Sequence, residues 1–335
     1  MKRVLIGICL VLAIVAGASL FPSRAQEASQ PSEKDIGNNV QAATKNWARG
    51  NPLKVALLKW YQANQTTSFH VGKTQNSNPY GLAFDGENIW TANNGEGTVS
   101  KLRASDGASL GTFSVGGRPN FAVFDGANVW VTVSPNTVSK LRASDGKIMG
   151  SFRVGGAPWW PAFDGENIWV PTNDGVTKLR ASDGKALGTF AVPGAIAVAF
   201  DGENVWVTGY GFGTVTKLRA KDGKIVGTYS VSHDPIGVAF DGANIWVANN
   251  SENSVTKLRA SDGKNLGTFV TGGAYGVAFD GINLWVTAEP GVREVRVSDG
   301  ALIGFFKGGG ETTGMAFDGA NIWVGDGLGK TVSKL

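Results

Sequence analysis

The stretch Gly81-Leu-Ala-Phe-Asp-Gly-Glu-Asn-Ile-Trp90 places two carboxylates, a carboxamide and an indole in one short segment. Two carboxylates side by side can divide the work of a general acid and a general base. A second candidate is Ser232-His-Asp-Pro235, where His233 and Asp234 could act as a base or as metal ligands. The acidic loop residues Glu289 and Asp326 would then serve a lyase or hydrolase. Thiol chemistry is excluded from a processed chain, because the only cysteine, Cys9, lies in the apolar run at the N-terminus. No HExxH, P-loop or GxSxG pattern is present, and short glycine clusters such as Asn94-Gly-Glu-Gly97 read as loops.

The elements around these residues decide between chemistry and architecture. Near-copies of the first stretch recur along the chain, with their aspartates at Asp85, Asp125, Asp164, Asp201, Asp241, Asp280 and Asp318. The spacings are 40, 39, 37, 40, 39 and 38 residues. Each Asp is followed three positions later by Asn and five later by Trp, which uses seven of the eleven tryptophans. A catalytic pair has no need of seven copies, so Asp85 and Asn88 read as turn builders. Asp-Gly suits such turns because Gly accepts positive φ and the Asp side chain bonds nearby backbone N–H groups.

One period reads as four strands: G-[LV]-A-F, then N-[IV]-W-V, then T-V-[ST]-K-L-R, then [LI]-G-T-F-x-V. A period near 40 made of short β segments predicts an all-β, seven-bladed β-propeller of four-stranded blades over residues 66–335. The 48 glycines fit so many tight turns. The sequence stops in the third strand of the seventh repeat, and Thr67-Ser-Phe-His-Val-Gly72 matches the fourth-strand pattern, so an N-terminal strand is expected to close the last blade. The terminal Ser-Lys-Leu is then the repeat's own pattern, not a peroxisomal address. The repeated lysines and arginines of KLRASDG are expected to be solvated edges with packed stems.

Residues 1–25 carry a basic start, an apolar run from Val4 to Phe21 and small residues at Ser23 and Ala25, the pattern of a signal peptide cleaved near Ala25. The alternative is an uncleaved anchor helix, which would be the chain's one attachment to a membrane. Cleavage removes Lys2, Arg3 and Arg24 and no acid, taking the formal charge from +4 to +1. That balance gives no reason to expect nucleic acid as a partner. Residues 26–50 read as a flexible linker. Asn51-Pro-Leu over 51–63, with Leu57, Trp60 and Tyr61, predicts a short amphipathic helix packed on the ring or presented to a partner. Asn64-Gln-Thr66 and Asn249-Asn-Ser251 match the glycosylation sequon.

With the W-V-A-N, S-V-T-K-L, G-T-F and G-V-A-F-D-G elements in place, the chain resembles the YVTN-type (YncE-like) seven-bladed propellers and, more loosely, NHL-repeat and streptogramin-lyase-like propellers. The resemblance covers residues 66–335 and implies a fold more than a function. Streptogramin lyases depend on a histidine, acidic residues and a divalent metal, whereas this chain has only His70 and His233, neither in a matching motif.

Function is expected where the repeat is broken. Phe121 and Trp160 replace the glycine that stands at Gly81, Gly237, Gly276 and Gly314. Rings there should crowd or floor the channel mouth. Arg118, Asn120, Trp159, Tyr80, Tyr210 and Phe212 would extend them into an aromatic patch with polar groups, with His233 and Asp234 nearby. The resulting expectation is a secreted or periplasmic, monomeric, non-catalytic binding or scaffold protein without cofactor or metal. Its partner would be a glycan, a peptide or an envelope protein; the alternatives are a lyase or hydrolase on the same fold, or a purely structural envelope protein.

Overall fold

A computed structural model describes residues 67–74, 76–307 and 310–335. The expected signal peptide over 1–25, linker over 26–50 and helix over 51–63 lie outside the described residues. Each period forms one antiparallel sheet whose strands run from inner to outer in chain order, and there are seven such sheets. In the first blade these are Pro79–Phe84, Asn88–Asn93, Thr98–Arg103 and Ser109–Ser114. The seventh blade takes its three inner strands from Thr312–Phe317, Ile322–Asp326 and Thr331–Lys334. Its outer strand is Thr67–His70, paired from Thr67↔Lys334 to His70↔Thr331. Phe69 on that strand stacks on Trp323 at 5.5 Å, as Phe113 does on Trp90 at 5.7 Å within the first blade.

The Asp-Gly-x-Asn-x-Trp unit is architectural at atomic detail. Asp85 Oδ1 accepts from the backbone N–H groups of Glu87 and Asn88, and Oδ2 accepts from Trp90 Nε1 at 2.8 Å. All seven units make that indole bond, at 2.7–2.8 Å. The carboxylate therefore ties the turn to a Trp buried in the seam with the next blade, such as Trp90 against Val129 and Val131. Burying about 200 Å² of indole contributes a gross ~5 kcal/mol per blade. Partial burial raises the carboxyls of Asp125, Asp241 and Asp318, but the bonds from indole, backbone and Asn outweigh it and hold them below the ordinary aspartate value.

The lysines are not solvated edges, and this corrects the sequence expectation. Register places Lys101 directly opposite Trp90 on the neighbouring strand, facing the next blade. Its Nζ lies 5.3 Å from the indole centroid and donates to Ala143 O of the second blade at 2.7 Å. Lys140, Lys178, Lys217, Lys257 and Lys334 repeat the bond to Ala181, Ala220, Ala260, Val297 and Ala104. Lys101, Lys140, Lys178 and Lys217 are only 6–8% exposed. Each therefore straps one blade to the next. The arginines two positions on do reach water, pairing with an Asp three residues later in exposed ion pairs that add little.

The sixth blade departs from this scheme. Glu294 stands opposite Trp285 where the other blades carry Lys, and accepts from Asn283 Nδ2 at 2.7 Å. Burial, together with Asp280, pushes its carboxyl above the ordinary glutamate value in spite of that bond.

Near the axis the inner strands approach too closely for side chains. A Cβ on Gly81 would sit 2.5 Å from Phe121 Cα, and one on Gly314 would sit 2.5 Å from Tyr80 O. Glycine at these positions lets the ring close, so a large residue in its place must point its ring elsewhere.

Candidate functional site

Phe121 and Trp160 turn their rings onto the axis. Phe121 is 1% exposed and stacks on Trp160 with centroids 3.8 Å apart. Trp160 is held by backbone bonds to the inner strand of the fourth blade, accepting from Val198 N and donating to Ile196 O. Tyr80 packs on Phe121 at 5.2 Å, and Tyr275 packs on Trp160 at 5.2 Å. The two phenol oxygens are 2.8 Å apart, one hydrogen bond. Side chains from the first, second, third and sixth blades can touch in this way only by meeting across the axis. The four rings form a floor beneath the loop face.

Beside that floor lies a cavity of about 330 Å³, with Tyr80 and Tyr275 as one wall. The fifth, sixth and seventh blades supply the rest, notably Asn250, Asn253, Glu289 and Glu311. Burial raises both phenols above the ordinary tyrosine value, Tyr275 the more strongly, and the nearby Glu311 charge adds to the effect on each. Both tyrosines therefore stay protonated at neutral pH and can donate as well as accept. Among the described residues no hydrogen-bond donor or cation is paired with the carboxylate of Glu289 or Glu311, and none of the lining residues is Lys, Arg or His.

The remaining residues singled out in the sequence separate into groups. Asn120 is buried with its polar atoms committed: its Nδ2 donates to Ser134 Oγ and Pro158 O, and its Oδ1 accepts from Asn94 Nδ2. Arg118 is exposed and donates to Asn94 Oδ1. These residues lock the seam of the first three blades. Trp159 is partly exposed, and Tyr210 and Phe212 stand out in the loop 210–213 at 44% and 61% exposure. Tyr210 lies near enough to Tyr275 to add slightly to the rise of its phenol.

His233 is exposed, while Asp234 accepts a hydrogen bond from Ser251 Oγ. Asp326 is buried and accepts from Gly329 N at 2.8 Å. His70 projects from the outer strand of the seventh blade and is exposed, away from the axis. Among the described residues no three His, Cys, Asp or Glu side chains converge as a metal site would require. The Asn249 sequon falls on a fully buried residue whose Nδ2 donates to Ser254 and Thr256.

Tyr275 and Glu311 were missed from the sequence. Tyr275 had a signal: Tyr80-Gly81 and Tyr275-Gly276 are the same dipeptide at the same point of the repeat.

No family model matches this chain, and no curated protein does. Solved structures do match it in fold. Virginiamycin B lyase from Staphylococcus aureus superposes with a TM-score of 0.69 at 17% identity, over 81% of this chain and 98% of that one. A streptogramin B lyase gives 0.70 at 16% identity, over 81% and 96%. Hydrazine synthase of Kuenenia stuttgartiensis gives 0.68 at 17%, over 80% and 97%. Identities this low establish the shared propeller and nothing of the chemistry.

Proposed function

We propose that this protein is an exported, non-catalytic propeller that binds a small ligand, or a side group of a larger partner, in the loop-face cavity beside Tyr80 and Tyr275. One observation carries the reading. The repeat is broken where it builds an aromatic floor with a polar-lined cavity beside it, while the seven Asp–Asn–Trp units are consumed in holding the ring together. A concave site with aromatic walls and a few converging polar groups is the form that small-molecule and sugar recognition takes. The apolar N-terminus with its small-residue end supports export, and the ring's likeness to YVTN-type repeats is consistent with an envelope role.

The test is a thermal-shift screen of the 335-residue chain against cell-envelope glycans, peptides and divalent metals, with Tyr275→Ala and Trp160→Ala alongside. A ligand of the native state raises the melting temperature by mass action. Binding that disappears in Tyr275→Ala, with Tyr275→Phe keeping the ring and the fold, supports the reading. Turnover of a ligand that is lost in His233→Ala would replace it with the lyase or hydrolase alternative.

A further inference from the structure

The seven seams of the ring are not alike. Six carry the lysine strap. Between the sixth and seventh blades Glu294 holds the strap position opposite Trp285, and its carboxylate accepts from Asn283 of its own blade. An ionised carboxylate has no hydrogen to give to a carbonyl of the next blade, so the substitution leaves this seam without the latch. A second, separate observation singles out the same seam. Its buried apolar cluster is Trp285, Val292, Ile322 and Val324, four residues where the other seams bury six to nine. Each of those six includes a Leu or Val from the third strand of the next blade, such as Leu141, whereas the counterpart here, Leu335, is only partly buried. Trp285 is accordingly 9% exposed, and its six counterparts 0%.

What ties this seam lies at its inner end. Thr312 Oγ1 of the seventh blade donates to Gly291 O of the sixth at 3.1 Å, and Thr287 Oγ1 of the sixth reaches Thr313 O of the seventh at 3.5 Å. All three threonines line the cavity, which takes one wall from Thr287–Glu289 and another from Glu311–Thr313. The cavity therefore straddles the one seam that lacks a strap. We infer that the ring opens at the seam between the sixth and seventh blades, with the cavity threonines as its latch, and that the cavity opens with it. That the cavity is a binding site is the reading above; the opening is measured without a ligand, so either can fail alone.

The experiment is thiol labelling of single-cysteine variants of the 335-residue chain by iodoacetamide under native conditions. Cys9→Ser removes the one native thiol. Val324→Cys places a probe in the seam of the sixth and seventh blades, and Val131→Cys and Val247→Cys place probes at the same point of two strapped seams. A buried thiol reacts only when its seam opens, so the rate reports the local opening equilibrium. Val324→Cys is expected to label about 10- to 100-fold faster than the other two, the span of one hydrogen bond from a charged group. Adding Lys101→Met to Val131→Cys should bring its rate up by a similar factor, because that change cuts the strap of the same seam. Adding Thr312→Val should speed labelling of Val324→Cys further and leave Val247→Cys unchanged. Should Val324→Cys melt below the other variants, Ile322→Cys, in the same seam, takes its place. Equal rates at all three probes, or faster labelling in a strapped seam, overturns the inference. A rate in Val324→Cys that ignores Thr312→Val overturns its link to the cavity.

Discussion

Replacing Lys178 with Met tests whether the buried lysines hold the ring together. In the structure Lys178 Nζ donates to Ala220 O of the fourth blade at 2.7 Å and lies 5.1 Å from the Trp169 centroid. Methionine keeps an unbranched stem of similar volume, so packing against the indole is retained. What is lost is the cation over the ring, worth about 0.5–2 kcal/mol, and the donor to a buried carbonyl, whose orphaning costs about 1–3 kcal/mol. Against this, the variant no longer takes an ammonium out of water, which recovers part of the sum. The expected net loss is about 2 kcal/mol. For a domain of this size that lowers the melting temperature by roughly 4–8 °C. Differential scanning calorimetry of Lys178→Met beside Lys147→Met, an exposed lysine in the turn of the second blade, reads the difference directly. If both variants melt with the parent, the seam does not depend on the strap and the account of the ring is wrong.

Other expectations follow from the same architecture. The depressed carboxyls of Asp125, Asp241 and Asp318 contribute stability above the ordinary aspartate pKa of about 3.9, and that contribution goes as pH falls through their lower folded values. Melting temperature should therefore drop below about pH 4, and less steeply in Asp241→Asn; an unchanged slope would contradict the assignment. Glu294 has the opposite sign: its carboxyl is raised, so ionisation at neutral pH costs the fold stability. Glu294→Gln should melt higher than the parent at pH 7 and no higher at pH 4, as thermal scans at both pH values would show. Gly146 sits at φ 73°, and a Cβ there would lie 2.2 Å from the Phe113 ring. Gly146→Ala should cost about 2–4 kcal/mol by denaturant titration, since both the backbone and the aromatic contact resist it.

The fold was legible because propeller blades repeat their constraints. The period, the Asp-Gly turns and the seven tryptophans each appear in copies, and a pattern with seven copies is hard to misread. The lysine straps were not legible. Their acceptor is a backbone carbonyl about 40 residues on, in the turn of the next blade, and backbone carbonyls leave no mark in a sequence. The site was half legible. Phe121 and Trp160 declared themselves by standing where glycine should be, whereas the cavity beside them depends on which blades face each other across the axis. Tyr80 and Tyr275 are 195 positions apart and share a hydrogen bond only because the ring closes. Glu311 sits in a linking loop where an acidic residue is unremarkable, and only the closed ring brings it beside Tyr80 and Tyr275. Asn120 illustrates the converse, a polar residue in the right place whose every bond is already taken by the ring.

The most direct test of where this protein binds is amide hydrogen exchange of the 335-residue chain with and without the first ligand that raises its melting temperature. Added protection is expected to be confined to the loop-face segments around 250–253, 272–275, 287–289 and 311–313, which frame the cavity. Protection centred instead on the Asp-Gly turns of the opposite face, or along the outer strands, would contradict it.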